Sequence, residues 1–155
     1  MEENIVENSH KRLEKLCKGE LSHELEAVTL KGLEIITSRK GYYLCRFVVP
    51  DNLLDEDGNW HVGAIAVLMD DVCAAAVNSS TGHIKASVDF TISYFSTAKS
   101  QEEVEIEAKV LANQGKLTSV MIEIKRKSNG GLIALGKQWM TTTSIKRSEH
   151  QISKL

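Results

Sequence analysis

The chain has 155 residues, 42% apolar and 26% charged, ordinary values for one globular domain with a full hydrophobic core. Its 19 Lys and Arg against 21 Asp and Glu leave a net charge of −2, which excludes the basic footprint of a nucleic-acid binder or of attachment to an acidic membrane. Three cysteines, Cys17, Cys45 and Cys73, stand at no metal-like spacing, and no C-x-x-C or H-x₃-H pair occurs; the pattern predicts reduced thiols in an intracellular protein and no structural metal.

The N-terminal residues are charged and carry no apolar stretch of the kind a secretory leader needs. Residues 7–18 predict an amphipathic helix, with Leu13, Leu16 and Cys17 at helical spacing and lysines between. A shorter helix is predicted from Ser22, its cap, to Leu30. Together residues 1–30 form a helical segment expected to cover one edge of the fold. Two strands follow, Leu33 to Ser38 and Tyr42 to Val49, joined by Arg39-Lys40-Gly41 and ended by Pro50. Asp51 to Asn59 is a polar loop containing Asp57-Gly58.

The run from Trp60 to Ser80 is the centre of the sequence. Gly63 to Val77 is apolar on every side except at Asp70 and Asp71, so the helix it predicts has no solvent face and must be enclosed. It reads as too short and too interrupted to span a bilayer. Carboxylates inside such a helix are costly unless they are paired or reach a water-filled site. Two readings stay open: a functional carboxylate, or one Asp capping a loop while the other salt-bridges to a strand. His61 at the helix start and Asp70 nine residues on lie on opposite sides, roughly 13 Å apart along the axis. One small substrate does not touch both in one chain, so a site using both needs two chains. Thr81-Gly82 ends the helix.

After it the period becomes two. Val88, Phe90, Ile92 and Tyr94 alternate with Ser87, Asp89, Thr91 and Ser93, predicting a strand from Ser87 to Phe95. Further strands are predicted over Glu103 to Val110, Leu117 to Lys127 and Leu132 to Thr143, with hairpin turns at residues 113–116 and 128–131. The fold class is α+β: a curved antiparallel sheet, residues 31–145, wrapped around one long central helix, followed by a polar tail, 146–155. The tail closes on Ser153-Lys154-Leu155, the tripeptide read by the peroxisomal import receptor, so the peroxisome is the expected location and the cytoplasm the default without it.

Three segments carry a family resemblance. His61-Val62-Gly63-Ala64 followed by Leu68-Met69-Asp70 resembles an HGG…(L/V)xD signature. Ser87-Val88-Asp89 with Tyr94 resembles an SVDxxxxY strand. Gln114-Gly115-Lys116 and Gly136-Lys137-x-Trp139 resemble the later hairpins. By these, Leu33 to Thr143 resembles the hotdog-fold acyl-CoA thioesterases of the 4-hydroxybenzoyl-CoA/phenylacetyl-CoA type, especially the small eukaryotic enzymes.

The resemblance implies hydrolysis of an acyl-CoA thioester to free acid and CoA, with no cofactor and no metal. It also implies a homodimer, often paired into a homotetramer, whose sites face the helix start of one chain with the helix carboxylate of the other. By position, Asp70 is the carboxylate that activates water or attacks the carbonyl. The Val62 amide holds the developing oxyanion, and His61 orders the loop and the helix start. Ser87, assigned to the polar face of its strand, positions the water or the carboxylate. Gly63, with Asn59 or Asn52, contacts the thioester region, while Lys116, Arg126, Lys127 and Lys146 are candidates for the CoA phosphates. Asp71 is assigned to an ion pair or a cap, Trp60 and Trp139 to packing with Trp60 near the pantetheine path, and Glu102 to Glu107 to a solvated face. One departure stands out: the family carries glycine where this chain has Val62. It keeps open a non-catalytic acyl-CoA binder. An enoyl-CoA hydratase ranks lower, because the Asp-x₄-Asn-x-His run of that chemistry is missing.

Overall fold

The computed structural model describes residues 1–21, 24–83 and 85–142. Ser22, Lys146 and the Ser153-Lys154-Leu155 tripeptide lie outside these residues. In chain order the elements are α1 (Glu2–Cys17), α2 (Glu24–Leu30), β1 (Glu34–Arg39), β2 (Tyr42–Val48), a 3₁₀ turn (Asp51–Leu53), α3 (Val62–Thr81), β3 (Lys85–Tyr94), β4 (Glu103–Gln114), β5 (Leu117–Arg126) and β6 (Leu132–Thr142). The six strands form one antiparallel sheet in the order β1-β2-β4-β5-β6-β3. Helix α3 touches strands β2 to β6 on one side and α1 and α2 on the other.

The all-round apolarity of α3 is thus met by two layers. Leu68, Met69, Val72, Cys73, Ala76 and Val77 are all buried. On the inner face of the sheet, Tyr43, Cys45, Phe47, Ile106, Ile122 and Ile124 are sealed against them. Gly136 leaves no room for a side chain between sheet and helix: an added Cβ would lie 2.7 Å from Met69 Cε and 2.9 Å from Ile122 Cγ2. Helix α1 is tied down by Ser9, which donates to the Ala75 carbonyl at 2.7 Å and accepts from the Tyr43 hydroxyl at 3.0 Å. Gly82, left-handed at φ 72°, closes the C-terminus of α3 by donating to the Asn78 carbonyl.

Four expectations need correction. First, α1 begins at Glu2 rather than residue 7, with Glu2 and Glu3 in the first turn where the helix dipole favours carboxylates. Second, α3 runs 20 residues and is long and apolar enough, by length and composition alone, to cross a membrane. Shortness is therefore no argument against a span; the packing of sheet and helices around it accounts for its apolarity. Third, Trp139 lies on the outer face of the sheet and is 37% exposed, whereas Trp60 is buried against Phe47 at a ring separation of 5.4 Å.

The fourth correction concerns β3. Ser87 pairs with Met140 and Asp89 with Trp139, so Val88 is an extra residue without a partner on β6. This β-bulge breaks the alternation. Val88 turns outward, 59% exposed, and Ser87 falls on the helix-facing side with Phe90, Ile92 and Tyr94, not on the polar face.

Candidate active site

The loop before α3 is pinned by its own polar groups. Asp55 Oδ1 accepts from the N–H groups of Asp57 and Asn59, each at 2.9 Å. Trp60 N–H donates to the Ala98 carbonyl and His61 N–H to the Leu53 carbonyl. His61 is the N-cap: its Nδ1 accepts from the Gly63 N–H at 3.0 Å, which fixes Nδ1 as the unprotonated nitrogen. A Cβ at Gly63 would stand 3.1 Å from the imidazole, so glycine makes room for this cap. Ile65 N–H closes on the His61 carbonyl. Among the described residues nothing accepts from the Val62 N–H. It is an uncommitted donor at the positive end of a helix, and the Tyr94 hydroxyl holds it in place by donating to the Val62 carbonyl at 3.0 Å.

Asp70 lies eight residues further on, about 12 Å along the axis at 1.5 Å per residue. Its Oδ1 accepts from the Ser87 hydroxyl at 2.9 Å and from Gln138 Nε2. The same Nε2 donates to Ser87 Oγ at 2.6 Å, which closes a triangle of three side chains from α3, β3 and β6. Ser87 reaches Asp70 only because the Val88 bulge turns it inward. Among the described residues Oδ2 of Asp70 accepts no hydrogen bond, so it is free to take a proton from water or to attack an electrophile.

Gln138 was not legible as a site residue. On β6 the inward positions are Ala134, Gly136, Gln138 and Met140, and Gln138 is fully buried. The signal available was that one amide interrupts an otherwise apolar inner row. Its Oε1 is buried with no partner among the described residues, an arrangement that costs about 1–3 kcal/mol.

The structure therefore brings His61, Val62 and Gly63 together at one station, and Asp70, Ser87 and Gln138 at another. Both stations flank β3, one of the two edge strands of the sheet. Asn52 is exposed in the 3₁₀ turn, and Asn59 lies in the Asp55 loop with a buried Oδ1 that has no partner among the described residues. Lys116 sits in the β4–β5 hairpin, where its carbonyl accepts from Thr142 N–H. Arg126 is a structural clasp, bound to Glu102, to Ser96 Oγ and to the Thr97 carbonyl, and Lys127 faces Glu103 and Glu105.

Asp71 is neither a cap nor, among the described residues, half of an ion pair. It faces α1 and α2, and burial pushes its carboxyl up to about 7, helped by the neighbouring charges of Asp70 and Glu26 and opposed by Arg12. Among the described residues Oδ2 of Asp71 and Oε2 of Glu26 are both buried without partners. The thiols are protected: burial pushes Cys17 up to about 11, Cys45 up to about 12 and Cys73 well above the ordinary range. Among the described residues no three His, Cys, Asp or Glu side chains gather as metal ligands.

Residues 57–133 match the family model of the thioesterase superfamily. Mouse acyl-coenzyme A thioesterase 13 is 31% identical over 114 residues, 73% of this chain and 78% of the relative. The crystal structure of zebrafish thioesterase superfamily member 2 superposes with a TM-score of 0.79 at 26% identity, covering 88% of this chain and 97% of the other. A hypothetical thioesterase protein from Streptococcus pneumoniae, solved with coenzyme A, shares the fold with a TM-score of 0.71 at 20% identity, covering 76% and 90%. With the hotdog architecture already in view, these likenesses lead to one conclusion: the chain belongs to the thioesterase superfamily.

Proposed function

We propose that the protein hydrolyses acyl-CoA thioesters to free acid and CoA, in sites shared between two copies of the chain. The observation that carries this is Asp70, a carboxylate on a core helix with one oxygen fixed by two donors and the other left open. The names of the relatives, acyl-coenzyme A thioesterases, support the substrate class.

In this reading the Val62 N–H is the oxyanion donor, and a donor of this kind is worth about 3–4 kcal/mol of transition-state stabilisation. Within one chain it stands too far from Asp70 to share a thioester. The unpaired edge of β3, with exposed Val88, Tyr94 and Phe95, invites a second copy. Antiparallel pairing of two such edges about a two-fold axis near the middle of β3 brings the Tyr94–Val62 end of one chain toward the Ser87–Asp70 end of the other. Asp70 Oδ2 then takes a proton from water, the hydroxyl oxygen bonds to the acyl carbon, and negative charge builds on the carbonyl oxygen against the Val62 N–H. The carbonyl re-forms as the C–S bond breaks, and the departing CoA thiolate takes up the proton held on Asp70 Oδ2, which restores the carboxylate. Gly63 contributes through the helix cap, since His61 already uses its N–H. Asn52, Asn59 and Lys116 remain candidates for contacts along the pantetheine and phosphates. Pairing of two dimers, and peroxisomal residence through Ser153-Lys154-Leu155, belong to the same reading; a fluorescent carrier ending in residues 146–155 should enter peroxisomes.

The test is thiol release across acyl-CoAs of varied length and aromaticity. Hydrolysis of at least one class is expected; tight binding without CoA release would instead favour the non-catalytic binder that Val62 suggests. Val62→Gly keeps the N–H and removes a β-branched side chain beside the carbonyl's approach, so kcat should stay equal or rise. A collapse of kcat would mean that the donor geometry depends on valine.

A further inference from the structure

We propose that Gln138 is a positioning residue for the Asp70 carboxylate, holding it and Ser87 in one register so that a single oxygen of Asp70 is presented to the reacting water. The inference rests on Asp70 being the reacting carboxylate, as proposed above. Its observation is separate: a fully buried amide on β6 whose nitrogen serves both other members of the triangle.

The proton count allows only one arrangement. The Ser87 hydroxyl has one hydrogen, given to Asp70 Oδ1, so Ser87 must accept from Gln138. The amide has two N–H groups, one for Ser87 and one for Asp70. Rotating the amide by half a turn would set Oε1 against the carboxylate and break both bonds, so the hydrogen-bond network fixes its orientation. The cost falls on the far side, where Oε1 is buried without a partner among the described residues. An apolar side chain among Ala134, Gly136 and Met140 would avoid that cost. A glutamine kept there against stability is explained by what its nitrogen does. It saturates Oδ1, which leaves Oδ2 as the basic oxygen, and it stops the carboxylate rotating about its Cβ–Cγ bond. Ser87 alone donates one hydrogen bond and fixes no plane.

The test uses Gln138→Met, which keeps length and loses both N–H groups, and Gln138→Glu, which can donate only when neutral. Turnover is read by CoA release on the full chain, with melting temperature in parallel. For Gln138→Met the expected result is a kcat lower by about tenfold or more with KM within a few-fold, and a melting temperature equal or higher. For Gln138→Glu, activity relative to the natural protein should rise as pH falls, because the protonated side chain again donates to Asp70 while the ionised one repels it. A residue that is merely structural would move melting temperature and kcat together and leave the pH profile alone. Natural kcat in a folded Gln138→Met protein, or an unchanged pH profile in Gln138→Glu, overturns the proposal. Asp70→Asn run alongside separates the two ideas. If it is inactive while Gln138→Met is fully active, only the role of Gln138 falls; if it turns over normally, the reading of the site falls with it.

Discussion

Asp70→Asn should fold as the natural chain does and lose about 10²- to 10⁴-fold in kcat, the span that a positioned general base contributes. The substitution changes almost no volume. The amide oxygen of asparagine can still accept from Ser87 and Gln138, so the triangle that ties α3 to β3 and β6 keeps its shape. What disappears is the negative charge and the basic oxygen that faces away from those donors. KM should change little, since the substrate's pantetheine and nucleotide do not depend on this carboxylate. Circular dichroism and melting temperature establish the fold, and CoA release measures the loss. Natural turnover in a folded Asp70→Asn protein would remove Asp70 from the chemistry and, with it, the two-chain site.

Its neighbour Asp71 should behave in the opposite sense: Asp71→Asn should stabilise the protein at pH 8 and leave turnover intact. The carboxyl is pushed up to about 7 from an ordinary 3.8 by burial under α1 and α2, with Asp70 and Glu26 adding repulsion, Arg12 attraction, and Cys17 lying nearby on α1. The folded chain therefore holds a proton that the unfolded chain has released at any pH between those values. Folded protein binds more protons than unfolded, so stability falls as pH rises from about 4 to about 7 and is flat above. At ~1.4 kcal/mol per pH unit the whole interval corresponds to about 4 kcal/mol, and partial solvent access reduces the expected gain to about 2 kcal/mol. Asparagine removes the titration, so its advantage should reach about 4–8 °C in melting temperature at pH 8 and vanish near pH 4. Equal melting temperatures at pH 8 would show that Arg12 already neutralises the carboxylate.

The contrast between these neighbours shows what could be read in advance. A helix apolar on every side must be enclosed, and the period-two strands after Gly82 supply a sheet to enclose it, so the wrapped-helix architecture was legible. The two aspartates were legible as an anomaly but not as different kinds of residue. Adjacent positions on a helix point about 100° apart, and which of them meets the sheet and which meets α1 and α2 is decided by tertiary packing. Ser87 was found as a motif residue yet placed on the wrong face, because a single bulged residue, Val88, reverses the alternation on its N-terminal side while Phe90, Ile92 and Tyr94 keep theirs. Alternation cannot reveal a bulge, which exists only relative to a partner strand. Gln138 went unremarked for a related reason: its importance lies in two contacts far away in sequence, with Ser87 on β3 and Asp70 on α3.

The shielding of the three cysteines has a practical side. Aromatic disulfide reagents attack thiolates, and Cys17, Cys45 and Cys73 are all held in the protonated form, Cys45 and Cys73 buried and Cys17 half-buried. Against that quiet background, colour that develops quickly after mixing with substrate can be credited to liberated CoA. When the protein is warmed or given denaturant, up to three equivalents of reagent consumed per chain count the molecules that have opened. One colorimetric trace can thus report both catalysis and integrity.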